Sequence, residues 1–111
     1  MNKKIFFFVS IFFFFLLSSD AAIYKGQKYF VKRCIVCHTE RQVFILEKTI
    51  KEWESFLSKN GEALADIHFK DKLSQKSWDY FESKKYIKES KHLKQFLMEY
   101  AKDSGNVPAC N

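Results

Sequence analysis

With only three glycines in 111 residues, the chain has no glycine-rich phosphate loop, and it has neither a nucleophile elbow nor a pair of histidines at metal-ligand spacing. Nothing therefore points to a reaction catalysed by the chain on its own. No alternation of strand and helix patterns is visible, which removes the βαβ setting of a thioredoxin-like centre. There is no internal repeat, and no low-complexity stretch outside the N-terminal segment. The three cysteines are too few for two ligand pairs. Pro108 is the only proline, and Met98 is the only methionine apart from Met1.

What is present is the run Cys34-Ile35-Val36-Cys37-His38. Thiols three residues apart lie on one side of a helical turn, where each can add to one vinyl group of a haem. The next imidazole, His38, then falls under the iron as the proximal axial ligand. Zinc and dithiol chemistry also use a Cys-x-x-Cys pair. A zinc site would have to recruit Cys110, His68 or His92, which stand in no pair spacing, and the dithiol reading lacks its βαβ context. The residues favour one covalent haem c held by Cys34, Cys37 and His38.

The length allows one small domain, whose core would be thin without a cofactor to pack around. Many of the thirteen Phe sit in the first fifteen residues, outside the mature fold. Residues 1–21 read as a signal peptide. Lys3 and Lys4 precede an apolar run from Ile5 to Leu17 broken only by Ser10, and Ser19-Asp20-Ala21 offers a cleavage box. The run is short for a bilayer span; an uncleaved anchor with loose membrane association is the alternative. Residues 22–105 form the expected domain and 106–111 a tail, and the expected location is the periplasm. Removing residues 1–21 takes two Lys and one Asp from a net charge of +6, leaving +5. The lysines are spread from residue 25 to 102, as on a solvated helical exterior. Nucleic acid is not an expected partner. Redox proteins with acidic docking patches are, since a basic face steers such encounters.

From Tyr24 to His38 the pattern is helical, with Gly26, Phe30, Cys34 and Cys37 near one face. Residues 89–102 form a second strongly periodic helix, with Leu93, Phe96, Leu97, Tyr100 and Ala101 at i, i+3, i+4, i+7 and i+8, ended by Gly105 and Pro108. Gly-x-x-x-Phe-x-x-x-Cys-x-x-Cys-His at one end and Leu-x-x-Phe-Leu at the other resemble the N- and C-terminal helices of class I c-type cytochromes. The resemblance implies an all-α fold around one covalent haem, in which Gly26 lets the terminal helices cross closely. It covers the two ends of the mature chain and leaves residues 39–90 largely unmatched. There, Thr49-Ile50-Lys51-Glu52 is a capping box opening a helix with Ile50, Trp53, Phe56 and Leu57 on one stripe, closed by Asn60-Gly61. Glu62 to Phe69 can add a turn or two. Ser74 or Ser77 can cap a short helix carrying Trp78, Tyr80 and Phe81. The run Val43 to Leu46 fits a strand, a helical turn or a lining for the haem edge.

The departures from the family lie where the iron is tuned. No proline lies in residues 39–48, just after His38, to offer a carbonyl to the proximal imidazole, and no methionine lies between His38 and Leu93 to serve as the second axial ligand. Met98 is about 140° around its helix from Leu93, off the apolar stripe. The sixth ligand is then expected to be an imidazole, with His68 the first candidate and His92 the alternative. The implied function is that of a single-haem carrier of one electron between respiratory partners. The alternative is a haem-based module that binds a small ligand as a sensor, or a haem subunit of a larger oxidoreductase. Cys110 is left over in an oxidising compartment, where it can stay free or bridge to another thiol.

Overall fold

A computed structural model of the chain describes residues 20–108. The signal segment, apart from its last residues, and Cys110 lie outside the described residues. The regular structure among the described residues is all helical, without a strand. Helix α1 runs through 20–33, and α2 is a single turn at Gln42–Ile45. Then follow α3 (Ile50–Phe69), a 3-10 segment at Lys72–Ser77, α4 (Trp78–Glu82) and α5 (Lys84–Glu99). No helix among these residues is long and apolar enough to cross a membrane.

The crossing of α1 over α5 organises the core. A Cβ on Gly26 would overlap the carbonyl of His92 and the Cβ of Phe96, so only a residue without a side chain lets the two backbones lie this close. One turn on, Phe30 is fully buried with its ring centroid 5.6 Å from that of Phe96. Leu93, Leu97 and Ala101 complete this side of the core. The expected crossing of terminal helices is the observed architecture. Asp20 and Ala21, expected in the signal segment, are already helical in α1.

Helix α3 begins where its capping box says it should. The Thr49 hydroxyl accepts from Glu52 N, and the Glu52 carboxylate accepts from Thr49 N. The Asp103 carboxylate adds a third bond by accepting from Ile50 N at 2.8 Å. Trp53 and Leu57 enter the core, and the Trp53 indole donates to Ile45 O at 3.0 Å. The regular helix breaks at Ser58, and Lys59, Asn60 and Gly61 all take the left-handed conformation, with φ of 53°, 59° and 72°. Asn and Gly accept that region readily and Lys does not. Tyr86 from α5 holds the kink by donating to Gly61 O at 2.6 Å, and its ring fills the space a Gly61 side chain would need. Residues 62–69 then resume the helix in a new direction.

Three sequence expectations are corrected. The last helix begins at Lys84, not Glu89, because the Ser83 hydroxyl caps it by accepting from Tyr86 N. It ends at Glu99, not Lys102, because Lys102 N turns away to donate to Lys48 O at 2.9 Å. The first helix stops at Arg33, so the Cys-x-x-Cys-His run lies in the turns beyond it. The ambiguous run at Val43 proves to be α2, with Ile45 fully buried. The tail folds back, with Asn106 Nδ2 donating to Glu99 O at 3.1 Å and Pro108 buried.

The crossing makes a direct prediction. Gly26→Leu should lower stability by about 1–3 kcal/mol through overpacking, and Phe96→Ala by about 3–5 kcal/mol. Denaturant melts that coincide with wild type would contradict the crossing.

Candidate functional site

A cavity of about 330 Å³ opens between the C-terminal end of α1, the second half of α3, the 3-10 segment and α5, within the size range of cofactor sites. Phe30, Phe44, Trp53, Leu64, Leu93 and Leu97 supply apolar lining, and Arg33, Asp71, Ser74, Ser77 and Tyr80 supply polar groups. Leu73, 90% exposed, stands on its lip.

The Cys-x-x-Cys-His run reaches this cavity from the end of α1. Cys34 N donates to Phe30 O at 2.9 Å, continuing the helical pattern, and Cys37 N and His38 N both turn back onto Cys34 O at 3.2 and 2.8 Å. This tight turn brings Cys34, Cys37 and His38 to one wall. Cys34 and Cys37 are not joined in a disulfide. The apolar surroundings push the Cys34 thiol up to about 12, with the neighbouring Cys37 adding to the effect. A reactive dithiol needs the opposite shift.

His68 comes from the other side of the cavity. Its ring centroid is 6.2 Å from that of His38, with the planes nearly perpendicular at 84°. Two metal–nitrogen bonds of about 2 Å each, with the half-width of each ring added, span about this distance. Each imidazole leans on a phenyl ring: His38 on Phe44 at 4.0 Å, His68 on Phe81 at 4.2 Å. The His68 Nδ1 lies 2.7 Å from Leu64 O, four residues back on the same helix. A ring that donates from Nδ1 to a carbonyl keeps Nε2 as a lone pair, the usual arrangement of a metal-ligating histidine. Burial holds the pKa of His38 below its ordinary value, and the proximity of His68 lowers it further. Both effects favour the neutral, ligating form.

The other candidates stand elsewhere. His92 lies at the helix crossing, 6.1 Å from the Tyr29 ring, and does not line the cavity. Its pKa is lowered by burial and then by the charges of Lys91 and Lys25. Met98 packs against the core near Ile23 and Ile50, also away from the cavity.

The donor set fits a haem better than a bare ion. Tetrahedral zinc needs four donors around one point, and among the described residues no three His, Cys, Asp or Glu side chains gather in that way. A c-type haem takes two thiols, at least one axial imidazole and an apolar cleft, and Cys34, Cys37, His38, His68 and the apolar lining can supply these.

Sequence reasoning missed one feature of this site. Glu89 is buried, and its carboxylate accepts from Arg33 Nε at 3.2 Å and from the Tyr80 hydroxyl at 2.7 Å. The Arg33 guanidinium also lies over the Tyr80 ring at 4.5 Å. Arg33 and Tyr80 line the cavity with Glu89 behind them. A signal was available: Glu89 lies one turn before Leu93 on the buried stripe, and a carboxylate there needs a cation. Glu89→Ala should cost about 3 kcal/mol by stranding the guanidinium, whereas Arg33→Met with Glu89→Leu should recover most of that loss. Equal melting of the single and double variants would show that the ion pair does not matter.

Compared with known proteins, the chain matches no family model, no characterised protein and no solved structure.

Proposed function

We propose that the chain is an exported, periplasmic single-haem c-type cytochrome of class I-like architecture, which carries one electron between protein partners and catalyses no reaction by itself. The observation that carries this reading is the pair His38 and His68, facing each other across an apolar cavity at 6.2 Å with Cys34 and Cys37 on its wall. Cys34 and Cys37 would hold the haem c covalently, and His38 and His68 would supply its two axial nitrogens. Reversible one-electron exchange at the iron is the chemistry such a group supplies when bound.

The residues of the chain account for the rest. Phe30, Phe44, Trp53 and Leu93 keep water from the apolar lining, and a dry, apolar shell tunes a redox centre through its low dielectric. The polar lining and the exposed Leu73 leave one side open to a partner. Lys70, Lys72 and Lys76 are exposed on the same segment, and with the net positive charge they support docking onto an acidic patch. The hydrogen bond from His68 Nδ1 to Leu64 O favours a filled sixth position over the sensor reading, which needs a vacant one. Two imidazoles lack the thioether that raises the potential of His/Met cytochromes, so a low potential is expected.

The wild-type protein should be low-spin in both oxidation states. His68→Ala should turn it high-spin and open the ferrous form to carbon monoxide, and His68→Met should raise the potential. A spectrum and potential unchanged by both substitutions would exclude His68 as a ligand.

A further inference from the structure

Helix α3 ends one residue after His68, and a helix of its length leaves its last carbonyls without intrahelical partners. The carbonyl of His68 is nevertheless crowded with donors. Asp71 N donates to it at 3.2 Å, as an ordinary helix-end turn would. Two side chains from the following segment converge on the same oxygen: Ser74 Oγ at 2.6 Å and the Trp78 indole Nε1 at 2.7 Å. A carbonyl oxygen has two lone pairs, so the two short side-chain bonds are the main claim on it. The 3-10 segment that carries Ser74 contains no buried residue, and hydrogen bonds are what tie it to the end of α3.

We infer that Ser74 and Trp78 form a clamp that sets the position of His68. In this arrangement the segment after α3, and not α3 alone, keeps the imidazole over the cavity. The inference rests on the proposal that His68 is the sixth ligand. Three side-chain hydrogen bonds then bear on that residue, beside the backbone bond from Asp71 N: its ring is turned by Leu64 O, and its carbonyl is held by Ser74 and Trp78. Trp78 does not line the cavity, so it acts through His68 as a positioning residue and has no contact of its own with a bound group. The Ser74 hydroxyl proton is shared with Asp71 O at 2.8 Å, which leaves Trp78 as the undivided donor.

The test uses the full-length, haem-loaded protein. Trp78→Phe keeps the ring and removes the N–H, and Ser74→Ala removes the second donor. Trp78→Phe should leave the haem stoichiometry unchanged, and each variant should shift the balance between bound and released His68 by about three- to tenfold, the size of one neutral hydrogen bond. The shift is read as a faster carbon monoxide reaction of the ferrous protein and as a high-spin fraction in the spectrum. The double variant should show both effects more strongly. A merely structural role lowers the melting temperature and leaves the carbon monoxide rate and spin state at wild-type values; that result overturns the clamp. Should Trp78→Phe fail to fold, Trp78→Tyr, which keeps a ring and lacks the indole N–H, decides by the same readouts. His68→Ala, measured alongside, separates the two levels. If it changes neither readout, His68 is not a ligand, and the clamp falls with that assignment. If it changes both while the clamp variants change neither, only the clamp is overturned.

Discussion

The close approach of α1 to α5 at Gly26 is the constraint on which the rest of the fold depends. With no side chain between the backbones, Phe30 reaches Phe96 and the end of α1 is fixed against α5. The turn beyond Arg33 then has little freedom, and its hydrogen bonds onto Cys34 O bring both thiols and His38 to the cavity. The same α5 backbone supplies Tyr86, which holds the Gly61 kink and thereby directs the second half of α3. The two imidazoles come from segments thirty residues apart, and both are positioned through contacts with α5.

The cavity lining is mostly apolar, yet a carboxylate lies just behind Arg33 and Tyr80. The Glu89 charge is tolerable there because Arg33 and Tyr80 satisfy it. Burial is also what raises the Cys34 thiol and lowers His38. Both shifts have the same leading cause, the removal of water from this end of the helix crossing, and each keeps its group neutral.

Features set by local chemistry were legible in the sequence. The capping box at Thr49 and the helical stripe through Leu93 and Phe96 follow from spacing, the pairing of Gly26 with that stripe was implied by the resemblance of the chain ends to class I cytochromes, and the structure repeats all three. The helix stop at Asn60-Gly61 was legible as a stop, but nothing local marks Lys59 as left-handed. The resumption of α3 in a new direction depends on Tyr86, twenty-five residues away. The cap at Ser83 was hidden because Lys84 and Lys85, the residues it opens onto, carry no apolar period. The Arg33–Glu89 pair joins residues 56 positions apart, and only the helix crossing makes them neighbours. His68 emerged as a candidate because methionine is absent. Its ring orientation and the two donors on its carbonyl are tertiary facts with no spacing to announce them.

The central claim is that Cys34 and Cys37 hold a haem through two thioether bonds. Intact mass and a pyridine haemochrome spectrum, taken on protein exported and matured in a host that attaches haem c, test it most directly. Haem attachment at both thiols should give a chain heavier by the mass of one haem, with a c-type haemochrome in one-to-one ratio and neither thiol available to alkylation. A colourless chain of unmodified mass, with both thiols alkylated, would contradict it.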